Sequence, residues 1–115
     1  MTSPSRRARG MRTQLVTAMH LAANGWPHAQ TAGSGRSGVD ILGCPGLSIE
    51  VKARRDWSPL AWVKQAAAKP GLPFVVVRPD GMGETTVGSW PCVIRLDDLI
   101  DVLRSAGYGD PKEEA

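Results

Sequence analysis

The chain has 115 residues, 42% apolar and 22% charged, a size and balance that allow one domain with one core and exclude a multidomain enzyme or wholesale disorder. No apolar run approaches the roughly 20 residues of a membrane span, and no apolar stretch of signal-peptide type follows the arginines that end at Arg12. Two cysteines, Cys44 and Cys92, are too few for a disulfide scaffold or a zinc site, so reduced thiols, a cytoplasmic location and no membrane partner are expected. Charge divides unevenly: residues 1–79 carry eleven Lys/Arg against three acids, net +8, and residues 80–115 are net −5. A basic first two-thirds points to a polyanion partner, with nucleic acid first.

In chain order, residues 1–10 read as a flexible basic arm, 11–108 as the folded domain and 109–115 as a flexible acidic tail. From about Met11, the residues Leu15, Ala18, Met19 and Ala22 recur at helical spacing, and Asn24-Gly25 supplies a stop. A short strand over residues 26–32 leads into the loop Gly33-Ser34-Gly35-Arg36-Ser37-Gly38. Strands are expected over residues 39–42 and 47–52, joined around Gly43-Cys44-Pro45-Gly46. Ser58 followed by Pro59 starts a helix that runs to about Lys69. Its core stripe is read as Leu60, Val63 and Ala67, with Trp62, Gln65 and Lys69 on another face. Residues 74–77 form a continuous apolar run, as expected of a strand covered on both faces. A further strand is expected over residues 90–95. Asp97 caps a last helix carrying Leu99, Ile100 and Leu103, and Gly107 stops it, with Tyr108 placed for the hydrophobic contact that often follows. The order makes a small α/β or α+β layer structure in a single domain.

The chemistry concentrates in Gly38-Val39-Asp40-Ile41 and Leu47-Ser48-Ile49-Glu50-Val51-Lys52. Side chains alternate along a strand, so Ile49 and Val51 oppose Ser48, Glu50 and Lys52, and Val39 and Ile41 oppose Asp40. If both apolar faces enter one core, Asp40, Glu50 and Lys52 converge on the other side. In a regular hairpin that requires an odd connection, of three or five residues, or a bulge. Two carboxylates with an ammonium beside them form a hard, oxygen-rich site suited to magnesium. The plain alternative is an exposed strand face with solvated charges; Asp40, behind a glycine loop in a basic half-chain, weighs against it. His20 and His28 have no acid or thiol at catalytic spacing and read as packing or surface residues. Trp57 and Trp62 read as helix packing before base stacking.

These segments resemble the PD-(D/E)XK nuclease superfamily: Gly35-Arg36-Ser37-Gly38-Val39-Asp40, nine residues, then Glu50-Val51-Lys52. The resemblance spans the first helix through the helix ending near Lys69, and the Ser/Gly/Arg loop is most similar to archaeal-type Holliday junction resolvases and their phage-encoded relatives. It implies a restriction-endonuclease-like mixed sheet flanked by helices. It implies Mg2+, with Mn2+ as a substitute, held by Asp40, Glu50 and the Val51 carbonyl. Lys52 would be the catalytic lysine, and Gln65 matches the polar residue many members supply from the following helix. Val39 stands where the superfamily's proline is usual. The first helix lacks the glutamate of many resolvases, so either Gln14 or Thr17 stands in for it or the role is absent. Ser34, Arg36, Ser37, Arg54, Arg55, Lys64, Lys69 and Arg12 are the candidate DNA contacts. The resulting expectation is a magnesium-dependent endonuclease that cuts branched DNA such as a four-way junction in recombination or repair, in the cytoplasm of a cell or of a phage-infected host. A RecB-like trimming or nicking nuclease and a non-catalytic DNA-binding module are the alternatives. Paired cuts by so small a chain call for a homodimer, with Trp62, Trp90 and the last helix as interface material.

Overall fold

The computed structural model describes residues 6–33 and 39–111. Helix α1 spans Arg6–Ala23, followed by β1 (Gln30–Thr31), β2 (Ile41–Leu42) and β3 (Leu47–Lys52). Then come α2 (Pro59–Ala67), β4 (Leu72–Val77), a 3₁₀ segment over Glu84–Ser89, β5 (Cys92–Ile94) and α3 (Leu96–Ser105). Strands β1 and β2 form a separate antiparallel pair, while β3-β4-β5 make a mixed sheet with β3 parallel to β4 and β4 antiparallel to β5. A parallel pair needs a crossover, and α2 supplies it. The result is an α+β domain with a mixed sheet and helices.

Apolar clusters cover both faces of this sheet. On one, Ile49, Val51 and Val76 meet Val16 and Ala18 of α1, with Ile41 and Trp90. On the other, Val75 and Val77 meet Trp62, Val63 and Ala66 of α2. This double burial is why residues 74–77 are uninterrupted by polar side chains. Gly71 lets β4 start against the preceding turn: a Cβ there would lie 2.8 Å from the Gly46 carbonyl oxygen, and the Leu72 amide donates to that oxygen.

Several boundaries and faces differ from the sequence reading. Residues 6–10, expected in a flexible arm, are the first turns of α1. Its buried side chains are Thr13, Val16, Thr17 and Ala18, whereas Met11, Leu15 and Met19 are exposed. The threonines are tolerated inside because their hydroxyls donate to carbonyls one turn back, both at 2.8 Å. In α2 the buried set is Trp62, Val63 and Ala66, and Leu60 is 70% exposed, so the helix is rotated from the expected stripe. Ser58 precedes the helix without a side-chain capping bond. The expected strand over 26–32 shrinks to β1, and the 3₁₀ segment was not foreseen. Cys44 and Cys92 are both free thiols.

Helix α3 departs most. Arg95, rather than Asp97, takes the cap position, and none of the helix's residues is buried. Leu99, Ile100 and Leu103, read as core, lie at the surface. Its stop is as expected: Gly107 adopts a φ of +96°, its amide donates to the Arg104 carbonyl and the Tyr108 amide donates to the Leu103 carbonyl, but the Tyr108 ring, read as placed for a hydrophobic contact, is exposed.

Candidate active site

Asp40 lies in a bend just before β2, and two bonds fix it against β3. Its amide donates to the Ile49 carbonyl at 3.1 Å, and its Oδ2 accepts the Val51 amide at 2.8 Å. The carboxylate thus takes the place of a ladder carbonyl. The expectation of an odd connection fails: four residues separate β2 from β3, and no regular ladder joins the two strands. The bend delivers Asp40 to Glu50 instead, so hairpin parity does not apply.

Alternation along β3 holds. Ser48 Oγ donates to the Ala66 carbonyl of α2 at 2.6 Å, and Lys52 Nζ donates to Gln65 Oε1 of α2 at 2.9 Å. Glu50, between them, shares their face and lies beneath α2 at 1% exposure. The solvated strand face considered as the plain alternative is therefore absent at Glu50. Its Oε1 has no hydrogen-bond partner among the described residues. A buried acceptor left in this state costs roughly 1–3 kcal/mol. Burial, and then the neighbouring Asp40 charge, push the Glu50 carboxyl up to about 7, while Lys52 and Lys69 pull it down.

Two acidic side chains, the Lys52 ammonium and an amide oxygen therefore converge at the end of β3 and the flank of α2, with the Lys69 charge acting on Glu50. Of the expected catalytic set, Asp40, Glu50, Lys52 and Gln65 come together. Lys69, expected only as a DNA contact, acts on Glu50 electrostatically. Its position just past the end of α2 was legible; its electrostatic effect on Glu50 was not, since that depends on how α2 lies on the sheet. Among the described residues no group of three or more His, Cys, Asp or Glu forms a metal cluster. The donors on offer are the Asp40 and Glu50 carboxylates with a backbone carbonyl such as that of Val51. Hard oxygens including one orphaned buried atom suit a magnesium-type ion. On α1, Thr17 bonds to its own helix, and among the described residues Gln14 makes no hydrogen bond to the site.

The candidate DNA contacts sort by partner. Ser34, Arg36 and Ser37 lie outside the described residues. Arg54 and Lys64 are exposed and form no ion pair among the described residues. Arg55 pairs with Asp80 at 3.0 Å, an acid that also lies 3.9 Å from Arg9. Arg12 pairs with Glu84, which holds the Arg12 guanidinium above its ordinary range. These acids were placed in the acidic third of the sequence, with no signal that they return to the basic face. Trp57 is exposed and meets the buried Trp62 edge to face at 5.3 Å, and Trp90 is also buried. Both Trp62 and Trp90 therefore leave the list of interface material. His20 is exposed on α1, and His28 is exposed beside the Gly43 turn.

No family model, curated protein or solved structure matches this chain. The class of the protein rests on its own residues.

Proposed function

We propose that this chain is a magnesium-dependent endonuclease of the PD-(D/E)XK kind, with a restriction-endonuclease-like fold, that hydrolyses phosphodiester bonds in branched DNA. The observation that carries the reading is Glu50: a buried carboxyl with an unpartnered oxygen, beside Asp40 and within the electrostatic reach of Lys52 and Lys69. A merely structural site would favour an apolar residue there, because burying a carboxylate without a partner is costly. Asp40, Glu50 and the Val51 carbonyl would hold the ion, which supplies charge to polarise the phosphate and acidify a water.

The remaining work falls to the chain's own groups. The Val51 amide fixes the Asp40 carboxylate, so that oxygen does not reorganise when DNA arrives. Gln65 accepts from Lys52 and aims its ammonium, which orients the attacking water and meets charge growing on the phosphate. Lys69 offsets the negative charge of the paired carboxylates, easing approach of a polyanion. Water attacks phosphorus in line and the bond to the 3′ oxygen breaks. The proton lost by water is balanced by one gained at the leaving oxygen, giving 5′-phosphate and 3′-hydroxyl ends. Selectivity for branched DNA and a role in recombination or repair follow from the resemblance to junction resolvases.

The test is incubation of labelled four-way junction, flap and linear duplex with magnesium or with EDTA. Cleavage of the junction in magnesium alone is expected, with manganese able to replace it. Asp40→Ala, Glu50→Gln and Lys52→Ala should each abolish it while junction binding in calcium persists. Cleavage of linear duplex alone would move the reading to a trimming or nicking nuclease. Binding without cleavage of any substrate would leave a DNA-binding module.

A further inference from the structure

We propose that the exposed ring of Trp57 is a stacking platform for an unpaired base of the DNA substrate, placed beside the candidate active site. The inference rests on the nuclease reading for its substrate and adds which feature of that substrate is recognised. Trp57 is 59% exposed and Leu60, three residues on, is 70% exposed. Trp57 lies in the short connection, residues 53–58, that joins Lys52 of β3 to the start of α2. Its ring meets the buried Trp62 at 5.3 Å and 79°. In an edge-to-face pair only one face of one ring is covered, so at least one face of Trp57 stays open. Helix packing, the sequence expectation for both tryptophans, accounts for Trp62 but not for that open face. Trp62 packs with Val77 in the cluster beneath α2, and Val77 pairs with Lys52 in the sheet. The platform is therefore anchored through Trp62 at the end of the sheet that carries Lys52, whose ammonium is held by Gln65.

Charge selects the occupant. Arg54 precedes the ring, and Lys64 lies one turn beyond Leu60 on α2; both are exposed and form no ion pair among the described residues. A flat apolar ring flanked in sequence by free cations matches a nucleotide. The ring takes the face of the base, and the cations take the neighbouring phosphates. Only a base out of the duplex can stack in this way, because paired bases already cover one another's faces. Branched DNA exposes such bases where its strands part. Trp62 fixes the ring before DNA arrives, which lowers the ordering cost of the stack. A membrane surface is a poorer fit: one tryptophan and one leucine offer little apolar area, and Asp56 stands next to the ring in the chain.

Fluorescence anisotropy of the full chain in calcium, with labelled oligothymidine and an abasic strand of equal length, separates base stacking from phosphate contact. The parent should prefer the strand with bases by about tenfold, the scale of a single stacked base. Trp57→Leu keeps apolar bulk against Trp62 but has no flat face. It should bind both strands equally, at the parent's affinity for the abasic one. Trp57→Phe should keep most of the preference, and affinity for blunt linear duplex should be the same in all three proteins. No preference in the parent would overturn the proposal without any variant having to fold, and so would a preference that survives Trp57→Leu. Binding to phosphatidylglycerol vesicles that is lost in Trp57→Leu, with DNA binding unaltered, would overturn it in favour of a membrane contact. The nuclease reading fails separately. Trp57-dependent binding to oligothymidine with no cleavage of any DNA in magnesium would keep the platform and remove the nuclease. Junction cleavage in magnesium by a Trp57→Leu protein that retains the full base preference would keep the nuclease and remove the platform.

Discussion

Glu50 is where local chemistry and folding stability conflict. Its carboxyl is raised from 4.5 to about 7, by burial first and Asp40 second. Folded protein therefore holds a proton across that window which unfolded protein has released. Stability of the metal-free chain should fall as pH rises from about 4.5 through about 7, then level off; a difference of that size is worth about 3 kcal/mol. Glu50→Gln removes the charge and keeps the shape. In EDTA it should melt above the parent at about pH 8 and close to it near pH 4.5, as followed by circular dichroism. Magnesium should raise the melting temperature of the parent and leave that of Glu50→Gln unmoved. A parent that is most stable at alkaline pH without metal would contradict the burial argument. Asp40, Glu50, Lys52 and Gln65 were legible as candidates from alternation and resemblance. The burial of Glu50 was not legible, because no residue spacing states that α2 covers that face.

At the scale of elements, the β2–β3 connection depends on glycines of unequal importance. Gly43 and Gly46 have φ values of +80° and +79°, but their surroundings differ. A Cβ on Gly43 would collide with the His28 carbonyl, whereas one on Gly46 meets nothing within 4 Å. Gly46→Ala should cost about 1 kcal/mol, from left-handed backbone strain alone. Gly43→Ala should cost about 2–4 kcal/mol, since the backbone at His28 must also move. Urea unfolding of the two variants measures the difference, and equal losses would mean that the close approach to His28 is not held in solution. Gly43→Ala should also reduce cleavage, because β2 carries Asp40 toward β3. Helix faces were misread for a related reason. Leu15 and Leu60 are strongly apolar, yet Thr13, Thr17 and Ala66 fit closer to the sheet.

For the whole molecule, the net +8 of residues 1–79 overstates the free positive surface. Glu84 and Asp80 neutralise part of it through Arg12, Arg9 and Arg55. Arg54 has no such partner among the described residues and follows the Lys52 strand directly. In calcium, log affinity for junction DNA should fall with log salt by about 0.9 per neutralised phosphate. Arg54→Ala should remove about one such contact from the slope, and Arg55→Ala less, because Asp80 already compensates it. Binding titrations over a salt series decide this; a slope indifferent to Arg54→Ala would place that arginine off the DNA path.

The linear order of residues by itself determined the α+β class, the β3 strand, the doubly covered β4 and the Gly107 stop. Each of these rests on short-range rules: alternation, apolar runs and backbone conformations open chiefly to glycine. It also determined which residues were chemically able to form the site. Tertiary structure alone decided that Asp40 reaches Glu50 from a bend, with its carboxylate on the Val51 amide. It decided that Gln65 meets Lys52, and that Glu50 loses water beneath α2. It also decided that α3 keeps its leucines outside. These outcomes depend on how helices lie against a sheet. That is set by the summed packing of many side chains distant in sequence, which no local spacing encodes.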